Sequence, residues 1–422
     1  MSEVIAQVED VGWFGGWLRW CPTSMTALQN AERRLLSYLK TAYSGKYIDI
    51  GNRVDNKDNK IWTVSVNEKS DNTPLVLVHG FGAGVGLWIL NLDHLAKNRP
   101  VYAFDLLGFG RSSRPRFSSD AQEAELQLVD SIEDWRKELK LDKFIILGHS
   151  MGGFLASAYS LRYPDRVKQL ILADPWGFPE SPKNSQQPRQ LPLWVKAVVT
   201  LLQPFNPLAA VRVAGPWGPR LIEKLRPDLK KKFAVVTDDD SDTISNYIYH
   251  CNAQKPSGET AFKVMTESFG WAKRPMINRI GNLRADVPLS IIYGSRSWID
   301  RNPGFIIKQE RPDEANVSVH IISGAGHHVY ADQSDVFNTL VSSVCNDVDG
   351  IVKIDRTQLM EGVVVDEEPQ SDKISACAVK TPIPSWSDFQ IKSQELLFEE
   401  NSVVSFHVVS FLKFYFETLN CF

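Results

Sequence analysis

A serine attacks an acyl carbon only when a base removes its proton during the attack, so a reactive serine is recognised by its surroundings. In this 422-residue chain the informative stretch is Phe144-Ile145-Ile146-Leu147-Gly148-His149-Ser150-Met151-Gly152-Gly153. An apolar, strand-like run ends in Gly-His-Ser-Met-Gly, and a helix-compatible run over 154–163 follows at once. That order makes G-x-S-x-G a nucleophile elbow, with the serine on a strained strand-to-helix turn at the carboxyl edge of a sheet. Gly148 and Gly152 suit the turn because a Cβ at either position would collide with neighbouring backbone. A helix starting at Met151 offers unpaired N–H groups and a positive dipole end to a developing oxyanion. A plain glycine-rich turn is the competing reading, and the strand before and helix after argue against it.

Such an elbow requires a histidine base and an orienting carboxylate, in the chain order Ser, acid, His. Ile321-Ile322-Ser323-Gly324-Ala325-Gly326-His327 places His327 in a glycine-rich loop after the last strand-like run. His328 is the rival, and Gly326 gives His327 the freer approach. Two acids follow strand-like runs: Asp300 in Tyr-Gly-Ser-Arg-Ser-Trp-Ile-Asp, and Asp174 in Ala-Asp-Pro-Trp. Asp300 is favoured because its loop is long enough to aim at His327, whereas Asp174 precedes Pro175, which restricts it to turn-type roles. The expected oxyanion donors are the N–H groups of Phe81, in His79-Gly80-Phe81-Gly82, and of Met151.

These residues need a sheet to carry them. Strand-like runs occur at 46–50, 60–67, 75–78, 101–104, 144–149, 167–173, 289–293 and 317–322. Several are continuously apolar, as strands buried on both faces of a parallel sheet are. Helical patterns fall at 26–40, 119–140 and 334–345. The βα rhythm stops near Phe178 and resumes near 286. The intervening 178–285 are proline-rich with helical patches (193–202, 219–225, 257–266) and no strand signals, an insertion placed where a lid over the carboxyl edge would sit. The expected organisation is a Trp-rich arm and helix (1–40), a first core part (41–177), a helical cap (178–285), a second core part (286–348) and a C-terminal extension (349–422). Within the extension 349–400 reads as largely disordered. For 402–422 a lipid-associating segment, a strand pairing elsewhere and an irregular tail all stay open.

The formal net charge of −3, without a basic stripe, argues against nucleic acid as a partner. Five scattered cysteines lack metal-ligand spacing and suit a reducing compartment. No metal or organic cofactor is implied. No window of ~18 uncharged apolar residues predicts a membrane-spanning helix, and the acidic start lacks a secretory pattern, which points to an intracellular protein. The arm Val-Gly-Trp-Phe-Gly-Gly-Trp-Leu-Arg-Trp-Cys-Pro at 11–22 brings Trp13, Trp17 and Trp20 together before any core element. Indole rings favour the headgroup level of a membrane, so these three are expected to anchor the chain on lipid, with packing of the arm back on its own domain as the competing reading.

The motifs together resemble the α/β-hydrolase domain-containing 4 and 5 group of lipid-metabolising proteins. The resemblance runs over 11–348: Gly-Trp-Leu-Arg-Trp-Cys-Pro-Thr-Ser in the arm, the elbow, Pro256-Ser257-Gly258-Glu259, Gly270-Trp271-Ala272, Tyr-Gly-Ser-Arg-Ser-Trp-Ile-Asp, and Gly324-Ala325-Gly326-His327-His328-Val329-Tyr330-Ala331-Asp332. It implies an α/β-hydrolase fold, a mostly parallel sheet with helices on both faces and a helical cap inserted after the sixth strand. One branch of the group resembles a lipase of N-acylated and lyso-phospholipids. The other carries Asn at the nucleophile position and serves as a lipid-droplet coactivator of a triacylglycerol lipase. Ser150 favours the hydrolase branch: a Ser150–His327–Asp300 acyl hydrolase of glycerophospholipids or lysophospholipids. It would be cytoplasmic and peripheral on lipid droplets or the endoplasmic reticulum, with mitochondrial membranes also open and a lipase or droplet-coat protein as a further partner. Coactivation and lysophosphatidic acid acylation are the alternatives. The family motif linked with acylation, His-x-x-x-x-Asp, is here His327 to Asp332. Its bland reading is an acidic residue at the N-terminus of the closing helix.

Overall fold

The computed structural model describes residues 20–181, 208–237, 242–267, 270–351 and 363–365. The apolar runs Leu75–Val78 (β3), Val101–Phe104 (β4) and Phe144–His149 (β5) are buried throughout, as is all but one residue of Val167–Ala173 (β6). They form the middle of one nine-stranded sheet with Tyr43–Asp49 (β1), Lys60–Val66 (β2), Leu289–Gly294 (β9), Val317–Ile322 (β10) and Val363–Val365 (β11), in the order β1-β2-β4-β3-β5-β6-β9-β10-β11. Pairings from β4 to β10 are parallel, and the antiparallel pairs lie towards the two edges.

Alternate residues of the central strands serve opposite layers, because successive side chains of a strand point to opposite faces. Val76, Ile146 and Leu172 pack with Leu128, Trp135, Leu155 and Tyr159 of Ala121–Glu138 (α3) and Met151–Arg162 (α4). Leu75, Leu147 and Ile171 pack with Leu92 of Ile89–Leu95 (α2) and Phe337 and Val341 of Ser334–Val348 (α13). Met25–Leu36 (α1) joins the second layer through Leu28, Leu35 and Leu36, and Ser24 caps it by accepting the Ala27 N–H at 3.0 Å.

Between β6 and β9 lie Ala209–Val213 (α5), Gly218–Leu225 (α6), Pro227–Thr237 (α7), Thr243–Asn252 (α8), Gly258–Met265 (α9) and Ile277–Ile280 (α10). They include one short antiparallel pair, Thr266–Glu267 (β7) with Trp271–Ala272 (β8), where no strand was expected. The expected helical patch at 193–202 lies outside the described residues. Asn302–Glu310 (α11) and Val329–Asp332 (α12) complete the second core part.

Of the extension, residues 349–351 and 363–365 are described, and the latter differ from the disorder expected for 349–400. Val363–Val365 pair antiparallel with His320–Ile322 as the edge strand β11. Three β-branched residues fit a pleated edge, and β10 offers them an otherwise unpaired row of backbone groups. Among the described residues no helix is long and apolar enough to cross a membrane.

Candidate active site

Ser150 joins β5 to α4 with φ 53° and ψ −120°, a conformation that costs a non-glycine residue about 1–3 kcal/mol. The surroundings hold it there. Its N–H donates to Ala173 O at 3.1 Å, and its carbonyl accepts from Gly153 N at 2.9 Å and Trp176 N at 3.2 Å. The flanking glycines are needed for the reason read from the sequence. A Cβ on Gly148 would lie 2.2 Å from Gly152 O, and one on Gly152 would lie 2.3 Å from Val78 O. Ser150 is otherwise mostly buried, and its hydroxyl is bound by no described residue.

His327 lies in the loop between β10 and α12, and its ring sits 4.8 Å from that of His149, next to the serine. Its Nδ1–H donates to Asp174 Oδ2 at 2.6 Å. In the neutral ring that hydrogen bond leaves Nε2 as the atom able to take a proton. The expectation that Asp300 would orient the histidine is corrected here. Asp300 is exposed, and its Oδ1 accepts the Asn302 N–H at 3.0 Å in a local turn. Asp174 is fully buried, at 0% exposure. It has φ 46°, so the chain turns at the end of β6 and Pro175 does not confine the side chain to that turn. Its Oδ1 accepts Gly294 N–H at 3.2 Å, and its Oδ2 also accepts the Ser297 hydroxyl. The Tyr-Gly-Ser-Arg-Ser loop thus contributes through Gly294 and Ser297, which support the acid of a neighbouring strand.

Phe81 belongs to the loop after β3. A Cβ on Gly80 would be 3.1 Å from Ser150 Cβ, so the His79-Gly80-Phe81-Gly82 loop presses against the elbow. The Phe81 N–H has no backbone acceptor among the described residues. Met151 is the first residue of α4, where an N–H lacks an intrahelical acceptor. His79 fixes the loop: its Nδ1–H donates to Gly80 O at 2.8 Å, and its Nε2 accepts Leu106 N–H at 3.0 Å. Burial holds the His79 pKa below the ordinary histidine value, which keeps this neutral form. Helix α8 adds two contacts that sequence reasoning missed. Tyr247 Oη accepts Gly86 N–H at 2.9 Å, and Asn252 Nδ2 donates to Gly82 O at 2.8 Å. They join residues more than 160 positions apart, for which the chain gives no local signal.

The neighbouring histidines differ in role. His149 Nε2–H donates to His327 O at 2.9 Å, and burial, then the adjacent His327, drive its pKa well below the ordinary value. His328 is held well below it by burial, then by Lys232. Aromatic rings cluster nearby: Phe81 stacks on Phe262 at 4.4 Å, Phe262 meets Trp176 at 4.7 Å, and Trp298 lies 5.0 Å from His327. Of the arm, Trp13 and Trp17 lie outside the described residues. Trp20 is 57% exposed, donates its indole N–H to Val213 O at 2.7 Å and meets the exposed Trp217 edge-on at 5.5 Å. Among the described residues no group of three or more His, Cys, Asp or Glu side chains is arranged to hold a metal ion.

The family model described as alpha/beta hydrolase fold matches residues 73–333. The human (lyso)-N-acylphosphatidylethanolamine lipase is 56% identical over 328 residues, which cover 78% of this chain and 94% of that protein. The human 1-acylglycerol-3-phosphate O-acyltransferase ABHD5 is 55% identical over 346 residues, covering 81% of this chain and 97% of that protein. The crystal structure of carboxylesterase CesB from Bacillus subtilis superposes with a TM-score of 0.54 at 16% identity, over 76% of this chain and 97% of that one, and so shares the fold. A parallel sheet with a strained serine at its carboxyl edge, matched over this length by these relatives, makes the chain a member of the α/β-hydrolase family, in the α/β-hydrolase domain-containing 4 and 5 group.

Proposed function

We propose that this protein is a serine acyl hydrolase of N-acylphosphatidylethanolamine-type phospholipids and their lyso forms, acting at a lipid surface. The observation that carries the reading is the Asp174–His327 hydrogen bond beside a serine held in the elbow conformation. Ser150 Oγ attacks the ester carbonyl while His327 Nε2 takes its proton, and Asp174 holds the ring and stabilises the imidazolium. The N–H groups of Phe81 and Met151 bind the oxyanion of the tetrahedral intermediate. Collapse of that intermediate breaks the acyl C–O bond, and His327 returns the proton to the leaving alcohol. Water, activated by His327 in turn, then releases the fatty acid from Ser150. The aromatic wall of Phe81, Phe262 and Trp176 suits an acyl chain. The relative named a (lyso)-N-acylphosphatidylethanolamine lipase supports the substrate class.

The relative named as an acyltransferase is about as similar in sequence, and its name makes lysophosphatidate the alternative acyl acceptor, whose hydroxyl would replace water at an acylated Ser150 of this chain. The N-terminal tryptophans anchor the protein on lipid droplets or endoplasmic reticulum, with the elements of 178–285 as a cap beside the site and a lipase or droplet-coat protein as a further partner. Labelling with a fluorophosphonate probe tests the central reading. Wild-type protein is expected to label at Ser150 and Ser150→Ala to stay unlabelled. Folded wild-type protein that takes up no label would replace the hydrolase with a scaffold.

A further inference from the structure

The His327-to-Asp332 spacing has a physical use in this fold apart from any acyl-transfer role. Asp332 ends the short helix α12, and the closing helix α13 starts only at Ser334, so Asp332 does not cap that helix as the sequence suggested. The turn of α12 brings the carboxylate back over the loop that carries His327. Its Oδ2 accepts the Gly326 N–H at 2.8 Å, immediately before the histidine. The other oxygen faces outward and is bound by Lys232 Nζ at 3.0 Å. Lys232 belongs to α7, one of the helices inserted between β6 and β9, and is steadied there by Asp228 at 3.1 Å. Both partners are largely buried, with side-chain exposures of 16% for Lys232 and 14% for Asp332. An ion pair so shielded is screened less than a surface one. On the other side of the loop, His149 binds the His327 carbonyl.

We propose that Asp332 and Lys232 are positioning residues that tie the His327 loop to helix α7, so that seating of the cap and placement of the base occur together. This rests on the serine-hydrolase reading for its kinetic part only. When α7 is seated, Lys232 holds the Asp332 carboxylate against Gly326 N–H, and the loop keeps His327 within reach of Asp174. When α7 lifts, the carboxylate loses its buried cation and holds Gly326 N–H less firmly, while Ser295 and Arg296 still bind the loop at Gly324 and Ala325. A cap opened by a lipid surface would then admit substrate with the base relaxed, and reclosure would restore it.

The test uses the full-length chain and its Lys232→Met, Lys232→Arg, Asp332→Asn and Lys232→Met/Asp332→Asn variants, each confirmed to be folded by circular dichroism at the assay temperature. The rate of Ser150 labelling by a fluorophosphonate is expected to fall about tenfold in Lys232→Met and in Asp332→Asn, as for members of one charged network. The double variant should fall no further than either single one, and Lys232→Arg should recover most of the rate. Hydrogen exchange of 324–332 is expected to rise in Lys232→Met, although that substitution lies on another element. Wild-type labelling by Lys232→Met, or losses that multiply in the double variant, would overturn the link. A wild-type protein that does not label at all removes the hydrolase reading alone, because the exchange experiment still decides: faster exchange at 324–332 in Lys232→Met upholds the link, and unchanged exchange refutes it.

Discussion

Replacing Asp174 by Asn keeps the size of the side chain and removes its charge. In the structure the carboxylate accepts three hydrogen bonds, from Gly294 N, the Ser297 hydroxyl and His327 Nδ1, the last at 2.6 Å. An amide that turns its NH2 towards His327 favours the Nε2–H tautomer, which cannot take the serine proton. Loss of the tautomer in a triad costs about 10⁴-fold in kcat, which is about 5.5 kcal/mol at about 1.4 kcal/mol per factor of ten. Loss of buried acceptor strength for Ser297 and Gly294 adds about 1–3 kcal/mol of destabilisation. Asp300→Asn weakens one exposed turn contact, to Asn302 N, so its effect on stability is about 0.5–1 kcal/mol and its activity stays within about threefold of wild type. The assay is kcat/KM on a short soluble ester, with circular dichroism confirming that each variant is folded. If folded Asp300→Asn loses more activity than Asp174→Asn, the orienting acid is Asp300 and the geometry read here is not the working one.

Ser150→Ala and His327→Ala should each lower ester turnover by about a thousandfold or more, and the double variant by little more than either, because they act as one unit; multiplying losses in steady-state kinetics would separate them. Glu32 is buried against Arg111, with Arg111 Nη1 donating at 2.6 Å, and burial followed by the nearby Asp105 raises its pKa from 4.5 to about 8. The folded state therefore holds this proton more tightly than the unfolded chain does. Its contribution is complete below pH 4.5 and disappears as pH rises to about 8, with a slope of up to about 1.4 kcal/mol per pH unit. Urea titrations at a series of pH values should show that slope in wild type and its loss in Glu32→Gln; parallel curves would refute it. Replacing Trp13, Trp17 and Trp20 together by Ala should release the protein from phospholipid vesicles in a flotation assay while a short soluble ester is turned over at nearly the wild-type rate. Unfolding or loss of soluble-ester activity would make the tryptophans structural.

The local parts of this protein were legible in its sequence because neighbouring residues dictate them. Leu75–Val78, Val101–Phe104, Val167–Ala173 and Val317–Ile322 form strands with the bounds read from their apolar runs. The elbow followed from the steric need for Gly148 and Gly152, whose Cβ atoms would overlap backbone at 2.2–2.3 Å. His327 followed from a glycine loop after the last long strand. The choice between Asp174 and Asp300 was a different kind of question. Asp174 directly follows β6, Asp300 lies in the loop after β9, and β6 and β9 are neighbours in the sheet, so their spacing in the chain does not choose between them. The decision lies in a positive φ at Asp174 and in donors from Gly294 and Ser297, 120 and 123 residues away, which exist only once β6 and β9 are paired. The same holds for Tyr247 on Gly86, for Asn252 on Gly82, for Lys232 on Asp332, and for Trp20 against Val213. Each joins a core element or the N-terminal arm to the helices inserted after β6, and no periodicity or motif within either segment encodes where the other will lie. The sequence by itself singled out the candidate residues; the tertiary structure decided which of them meet, because contacts of 2.6–3.0 Å depend on the packing of distant elements.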